Sequence, residues 1–280
     1  MKVIISENSG FCFGVERAMK LTAGTLKDNS GVRIATYGPL IHNPQVVSLL
    51  EEKGAKVIQK TDTEFNTDIL IMPSHGAPKE IYAKCSEKDI RIVDATCPFV
   101  KDVHNKVREF IRQNMCVVII GDANHTEIKG VVSWADNQCV VIGSESDIDK
   151  YDFSDKDVGI VSQTTNSEEY FANLADRIVK KARSAVVQNT ICSATRNRQD
   201  SAIALARETD AMVVIGGKNS ANTKRLYQLC REANPNTYHI ETAEELKSEW
   251  FDSSHTVALT AGASTPAWII SEVAEKLSEM

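Results

Sequence analysis

The amino-acid sequence predicts an α/β protein of three similar lobes, each a parallel sheet flanked by helices. Two observations support this fold class: Val/Ile-rich runs alternate with helical patterns, and the same order of strands, helices and polar turns occurs three times. Continuous apolar runs of this kind are typical of parallel strands that are buried on both faces. We expect lobes at residues 13–96, 97–191 and 192–280, with the N-terminal strand segment 1–12 completing the third lobe.

Each repeat contains a cysteine that joins a strand to a helix: Cys12, Cys97 or Cys192. The positive partial charge at a helix N-terminus favours a thiolate, so these three cysteines are suited to bind metal. The apolar runs before them predict strands at residues 3–5, 91–94 and 185–187. The periodic patterns after them predict helices at residues 15–27, 98–114 and 194–209.

Polar turns follow two further strands of each repeat. The first turns carry His42, His125 and Ser220, which lie 30, 28 and 28 residues after the cysteine of their repeat. The second turns cover residues 74–76, 162–165 and 264–266. Ligands of open parallel sheets bind past the carboxyl ends of the strands, where these turns lie. The matched spacing favours a threefold arrangement with one common centre over three successive domains with separate sites.

Composition and charge limit the classes of partner. The chain has 280 residues, long enough to bury a core without disulfide bonds, and a net charge of -6, which argues against nucleic acid or an anionic membrane surface. No run reaches the length of a membrane span, and the N-terminus turns polar too early for a signal peptide. We therefore expect a cytoplasmic protein that does not bind membranes.

Seven cysteines without a CxxC motif do not indicate a disulfide framework. We expect four of them to pack as small apolar residues in strands and helices: Cys85, Cys116, Cys139 and Cys230. If the other three meet, their thiolates can bind Zn²⁺, which suits hydrolysis, or an iron–sulfur cluster, which suits redox chemistry. Zinc sites usually include a close cysteine pair, so its absence favours the cluster.

The polar turns are rich in hydrogen-bond donors, which is typical of a site for phosphate or diphosphate. No nucleotide-binding or Mg²⁺-binding motif is present, so we expect the anion to be held without a metal. The candidate donors are His42, His75, His125, Thr164, Ser220, Asn222 and Ser264. The other three histidines, His104, His239 and His255, are interpreted as structural.

Glu127 lies two residues after His125 in the same turn, and it is the only carboxylate in these turn motifs. A carboxyl group close to a bound anion tends to keep its proton and can deliver it. The alternative is a carboxylate that caps the helix or pairs with a nearby lysine.

Several motifs together resemble the LytB family of 4-hydroxy-3-methylbut-2-enyl diphosphate reductases. The most specific are Gly-Phe-Cys-Phe-Gly-Val-Glu-Arg-Ala at residues 10–18 and Asp-Ala-Thr-Cys-Pro at residues 94–98. The resemblance extends over the whole chain. The other matching segments are residues 41–43, 74–76, 125–127, 162–165, 190–199, 219–223 and 261–266.

The resemblance implies a three-lobed, pseudo-threefold trefoil around a central [4Fe–4S] cluster with one open iron. Cys12, Cys97 and Cys192 would then be the cluster ligands. The family carries out the last step of the methylerythritol phosphate route to isoprenoids, in which a substrate hydroxyl is removed with two electrons and two protons. The products are isopentenyl and dimethylallyl diphosphate.

The same resemblance assigns roles to the polar turns. Glu127 would lead the proton relay, and Thr164 would contact the hydroxyl end of the substrate. The remaining six donors would surround the diphosphate: His42, His75, His125, Ser220, Asn222 and Ser264. Since the chain has no flavin or nicotinamide motif, electrons are expected from an external donor of the ferredoxin or flavodoxin type. We expect a monomer.

Two positions differ from the pattern common in the family. Ala221 replaces a serine, which removes one hydroxyl donor, and Ala267 lies where an acidic residue is common. Two alternative functions remain at this stage. One is a non-enzymatic iron–sulfur redox sensor, which would not need the polar turns or Glu127. The other is a Zn-dependent hydrolase of a phosphorylated metabolite.

Overall fold

The computed structural model describes residues 1–59, 62, 64–252 and 254–280. Twelve strands in these ranges form three separate four-stranded sheets, and every strand pair is parallel. The fold class predicted from the alternating apolar runs is therefore confirmed.

The three sheets have the same strand order. The first sheet is β3-β2-β4-β5, with β2 (Ile34–Tyr37), β3 (Ala55–Ile58), β4 (Ile69–Met72) and β5 (Arg91–Asp94). The second is β7-β6-β8-β9, with β6 (Cys116–Ile120), β7 (Cys139–Ile142), β8 (Asp157–Ser162) and β9 (Ser184–Val187). The third is β11-β10-β12-β1, with β10 (Ala211–Ile215), β11 (Thr237–Ile240), β12 (Thr256–Ala261) and β1 (Lys2–Ile5).

The α-helices connect the parallel strands, as crossover connections require. Those that follow the three cysteines are α1 (Phe13–Asp28), α4 (Pro98–Arg112) and α8 (Ser193–Glu208), each within two residues of its predicted ends. The remaining helices are α2 (Pro44–Glu52), α3 (Lys79–Glu87), α5 (Thr126–Trp134), α6 (Glu145–Ile148), α7 (Glu168–Lys181), α9 (Ala221–Ala233) and α10 (Ala267–Glu279). Helix α3 is followed by Asp89, which has a positive φ, and short 3₁₀ turns cover Ala243–Glu245 and Ser248–Trp250.

The chain divides into two compact units. One unit comprises Met1–Glu16, Ile41–Leu49 and Ser193–Met280, and it contains the third sheet. The other comprises Arg17–Leu40 and Leu50–Cys192, and it contains the first two sheets. The three lobe boundaries given by the sequence stay a prediction.

Strand β6, one of the two inner strands of the second sheet, is continuously apolar because both of its faces are buried. Val118 and Ile120 pack into a core with Phe153 and Phe171 on one face. The alternate residues of the same strand, Val117 and Ile119, pack on the other face against residues of α4 and α5. Because successive side chains of a strand point to opposite faces, a strand buried on both faces needs an apolar residue at every position.

None of the helices in the described part of the chain has both the length and the apolar character that a membrane span requires.

We predict that Gly159→Ala destabilises the second sheet. A Cβ atom at Gly159, in β8, would lie 2.4 Å from the ring of Phe110, which is buried on α4. Overpacking of this kind costs about 2 kcal/mol. Chemical denaturation of the purified variant measures the loss.

The matched control is Gly24→Ala in α1, where a Cβ atom would meet no other atom within 4 Å. Alanine is favoured over glycine inside a helix, so this variant should gain about 0.5–1 kcal/mol. Equal stability of the two variants would show that Phe110 can move away from the strand.

Candidate functional site

Each of the three predicted metal-binding cysteines is held by the same backbone hydrogen bond. The N–H of Cys97 donates to the carbonyl of Ser74, in the turn after β4, at 2.9 Å. In the second sheet the N–H of Cys192 donates to the carbonyl of Thr164, after β8, at 3.1 Å. In the third sheet the N–H of Cys12 donates to Ala263, after β12, at 3.3 Å. The bond therefore joins the cysteine loop of each sheet to one of its polar turns.

The same three cysteines have their thiols in an accessible setting. All three are half-buried and none forms a disulfide bond. Cys97 is the N-cap of α4, and its carbonyl accepts from Lys101 N–H at 3.0 Å. The carbonyl of Cys12 accepts from Glu16 N–H at 2.9 Å in the corresponding way. Thiols at helix starts are suited to bind metal as thiolates.

The other four cysteines lie where the sequence predicts them. Cys85 and Cys230 are fully buried on α3 and α9, while Cys116 and Cys139 begin β6 and β7. Burial raises the pKa of Cys230 to about 12 and, with a smaller effect of Cys116, raises the pKa of Cys139 to about 11. These thiols stay neutral at pH 7 and act as apolar packing groups.

Within the described residues, no group of three or more His, Cys, Asp or Glu side chains has the arrangement of a metal site. Cys12 belongs to one unit and the other two cysteines belong to the other. The meeting of the three thiols at one centre therefore stays a prediction.

The structure brings three predicted site residues of the second sheet together. Both carboxyl oxygens of Glu127 accept from Thr164, one from its N–H and one from its hydroxyl, each at 2.7 Å. His125 is the N-cap of α5, and its Nδ1 accepts from the N–H of Glu127 at 3.3 Å. Because the carboxyl group bonds to the turn after β8, the Glu127 side chain makes a tertiary contact with a predicted site residue.

Burial controls the charge of this carboxyl group. Glu127 is only 2% exposed. Burial raises the pKa of Glu127 above its ordinary value, and the two hydrogen bonds from Thr164 offset only part of that effect. A carboxyl group of this kind holds a proton more readily than an exposed one, which suits a proton donor.

The His75 turn depends on a glycine and on a histidine of α4. Gly76 has a φ of +82°, and a Cβ atom there would lie 2.9 Å from the ring of His104. His104 is buried and stacks on Trp134 at 5.3 Å between ring centroids. Burial lowers the pKa of His104 to about 4, so the ring is neutral at pH 7. The predicted structural role of His104 is thus to support the turn that carries His75, which is itself buried.

In the third sheet, Ser220 is the N-cap of α9 and accepts from the N–H of Thr223 at 3.3 Å. Asn222, in the first turn of the same helix, is 7% exposed, and its buried Nδ2 has no hydrogen-bond partner among the described residues. A buried amide group without a partner is costly, so this Nδ2 is free to donate to a bound group.

His42 and Ser264 complete the predicted set in this unit. Both side chains are half-buried. The carbonyl of His42 lies 3.1 Å from the position that a Cβ atom would take at Gly217, in the turn before Ser220. Ser264 precedes Thr265, whose hydroxyl donates to the carbonyl of Ile215 at 3.1 Å and anchors the turn after β12.

The two positions that differ from the family pattern begin helices. Ala221 is the first residue of α9, and Ala267 is the first residue of α10, after Pro266 at the N-cap position. Both helices form without the side chains that are common there. Sequence reasoning gave no role to Arg17 or Arg198, although each contacts the backbone close to a cysteine.

We predict that Glu127→Gln stabilises the fold increasingly as pH rises. A glutamine can keep both contacts with Thr164, with its Nε2 donating to the hydroxyl, and it carries no charge. The raised pKa of Glu127 means that the wild type loses stability when pH rises above the ordinary carboxyl range, because ionising the buried group is unfavourable. Melting temperatures measured between about pH 4.5 and 8 should diverge in favour of the variant.

The control is Glu145→Gln, because the carboxylate of Glu145, at the start of α6, is exposed. The melting temperature of this variant should follow that of the wild type over the whole pH range. A melting-temperature difference for Glu127→Gln that does not change with pH would show that the carboxyl group ionises normally in the fold.

Comparison with known proteins places the chain in one family over nearly its whole length. The family model described as LytB protein matches residues 3–278. The 4-hydroxy-3-methylbut-2-enyl diphosphate reductase of Alkaliphilus oremlandii (strain OhILAs) is 44% identical over 282 aligned positions, which cover 100% of both chains. The reductase of the same name from Aquifex aeolicus (strain VF5) is also 44% identical, over 99% of this chain and 96% of its own.

Two solved structures are similar over nearly the whole chain. One is an (E)-4-hydroxy-3-methyl-but-2-enyl diphosphate reductase, described as the terminal enzyme of the non-mevalonate pathway, with 43% identity, a TM-score of 0.72 and 100% coverage of both chains. The other is the E-1-hydroxy-2-methyl-but-2-enyl-4-diphosphate reductase from Plasmodium falciparum, with 27% identity and a TM-score of 0.89. It covers 99% of this chain and 87% of that one. With its family match, its full-length relatives and its three equivalent cysteine loops, the chain belongs to the LytB family.

Proposed function

We propose that this chain is a 4-hydroxy-3-methylbut-2-enyl diphosphate reductase, an oxidoreductase of isoprenoid biosynthesis. The reaction removes the allylic hydroxyl of the substrate with two electrons and two protons and forms isopentenyl and dimethylallyl diphosphate. The observation that carries the proposal is the buried Glu127, whose carboxyl group bonds to Thr164 in the same turn that holds the backbone of Cys192. This arrangement joins a proton donor to a predicted metal ligand.

The family implies an iron–sulfur cluster, and we propose a [4Fe–4S] cluster held by Cys12, Cys97 and Cys192 with one open iron. The chain fits such a group because three half-buried cysteines, none in a disulfide, have equivalent backbone hydrogen bonds. Thiolates are the ligands that these clusters use. When bound, the cluster would supply electrons and an iron position that polarises the substrate hydroxyl.

Glu127 and Thr164 would act at the hydroxyl end of the substrate. The Thr164 hydroxyl donates to the carboxyl group in this structure, and it can accept from a protonated Glu127 when substrate is bound. A proton delivered from Glu127 through this contact would turn the hydroxyl into water, which leaves far more easily than hydroxide. Burial keeps bulk water away from this proton.

The diphosphate would be bound by hydrogen-bond donors of the polar turns. Asn222 supports this role most directly, since its buried Nδ2 has no partner in the part of the chain that the structure describes. His125 accepts from Glu127 N–H at Nδ1, which leaves its Nε2 to serve as the donor to the substrate. Ser220 and His125 also cap α9 and α5, where the helix dipoles favour an anion. His42, His75 and Ser264 would complete the set.

The external electron donor of the ferredoxin or flavodoxin type, the cytoplasmic location and the monomeric state stay predictions of the sequence.

Metal content separates this function from the alternatives. Anaerobically purified protein should contain iron and sulfide and show the broad visible absorption of an iron–sulfur cluster, since thiolate ligands without a close pair favour the cluster. Serine variants of Cys12, Cys97 and Cys192 should each lose most of the iron, whereas Cys230→Ser should retain it. Zinc without iron and sulfide would contradict the reductase and favour the hydrolase.

We predict that Glu127→Gln lowers turnover by about 10²-fold or more while substrate binding is retained, because a general acid acts on the chemical step. The measurement is substrate-dependent turnover with a chemically reduced donor under anaerobic conditions, together with calorimetric binding of the diphosphate. Glu145→Gln should match the wild type. Unchanged turnover of Glu127→Gln would remove this residue from the mechanism, and an intact cluster without any turnover in the wild type would favour the redox sensor.

A further inference from the structure

Three basic side chains contact the segments that precede the three predicted cluster ligands. They are Arg17, Lys106 and Arg198. Each is on a helix that follows one of the cysteines, and each contacts the segment before a different cysteine. The helices are α1, α4 and α8.

The contact of Arg17 is made with two backbone carbonyls. One guanidinium nitrogen donates to Thr96 at 3.1 Å, and the other donates to Asp94 at 3.3 Å. Thr96 is the residue immediately before Cys97. Asp94 also accepts from the N–H of Thr96 at 3.0 Å and pairs with Lys101 at 2.6 Å, so the short segment is held on several sides.

Arg198 makes the corresponding contact with the segment before Cys12. Its guanidinium donates to the carbonyl of Gly10 at 2.5 Å, and the side chain is only 4% exposed. Gly10 has a φ of +85°, and a Cβ atom there would lie 3.1 Å from Ile270. The carbonyl that Arg198 contacts therefore belongs to a turn whose conformation requires glycine.

Lys106 contacts the segment before Cys192 through a side chain. Its ammonium group donates to Oε1 of Gln188 at 3.2 Å. Gln188 follows β9 directly, and its own N–H donates to the carbonyl of Ile160 at 2.9 Å. The contact thus reaches a residue whose backbone is fixed to the neighbouring strand.

The three contacts form a closed cycle in the order of the sequence. The helix after Cys12 holds the segment of Cys97, and the helix after Cys97 holds the segment of Cys192. The helix after Cys192 then holds the segment of Cys12. Such a cycle of three matched contacts is unexpected if each contact only stabilises the surface of the helix on which it lies.

We propose that Arg17, Lys106 and Arg198 are positioning residues that fix the three cysteine loops for cluster binding. This inference rests on the proposed function, because that function is what requires the three loops to bind a cluster. Each cation contacts the segment before its cysteine, two of them at the backbone and Lys106 at the side chain of Gln188, while the N–H bond of the cysteine holds the loop to the polar turn. Hydrogen bonds from charged donors are the stronger class, so each contact restrains its loop appreciably.

Hydrogen–deuterium exchange of the full-length protein tests this pairing, because the N–H of each cysteine is itself hydrogen-bonded. Arg17→Met should speed exchange in the peptide that contains Cys97 by about tenfold and change the other two cysteine peptides by less than about twofold. Arg198→Met should act in the same way on the Cys12 peptide, and Lys106→Met on the Cys192 peptide with a smaller change. Peptides would be followed by mass spectrometry in anaerobically purified protein and again after a chelator has removed the metal.

Arg17→Lys and Arg198→Lys keep a cation and should restore part of the protection. Lys27→Met, at the exposed end of α1, is the matched control and should leave all three peptides unchanged. Equal acceleration of the three loops by one variant, or no acceleration, would overturn the pairing.

Release of iron to a chelator provides the second readout. Arg17→Met and Arg198→Met should lose iron several times faster than Lys27→Met. Loop-specific exchange without any iron in the wild type would refute the cluster and leave the pairing intact, whereas iron release at the wild-type rate despite loosened loops would refute the role in cluster binding.

Discussion

The structure depends on a backbone hydrogen bond that occurs three times, from the N–H of a cysteine to a carbonyl in the turn of the neighbouring strand. Parallel sheets place all their carboxyl ends at one edge, but the loops at that edge have no ladder partners of their own. The hydrogen bond from the cysteine N–H supplies such a partner. In the strand order of each sheet, it brings the cysteine loop of the last strand next to the polar turn that follows the neighbouring strand. A predicted metal ligand and predicted hydrogen-bond donors are therefore adjacent in every sheet.

The second sheet adds chemistry to this shared geometry. Its turn residue Thr164 accepts from Cys192 N–H with its carbonyl and donates with its own N–H and hydroxyl to Glu127. A single residue therefore contacts a predicted ligand and the predicted proton donor. Burial of the Glu127 carboxyl group disfavours its charged form, and this is why its pKa is raised above the ordinary value.

Much of the fold could be predicted because the signals are local. Val/Ile runs gave the strands, and the segments around Cys12, Cys97 and Cys192 gave the helices that follow. The N-terminal strand β1 pairs with β12, and the three lobes with their boundaries stay a prediction. Arg17, Arg198 and the support of the His75 turn by His104 were not recognised, because their contacts join residues far apart in the sequence. The unpartnered amide of Asn222 is likewise a property of packing that no sequence pattern reveals.

The pairing of β1 with β12 has a consequence for the order of assembly. The strand before Cys12 pairs with a strand far away in the sequence, and the Ala263 carbonyl that holds Cys12 is equally distant from it along the chain. Strand pairs of such high sequence separation form late, since a long loop must close first. The Cys97 and Cys192 loops, by contrast, find their partners within nearby sequence. The loop of Cys12 is thus expected to form after the loops of Cys97 and Cys192, and a centre that used all three cysteines would have to wait for this strand pair.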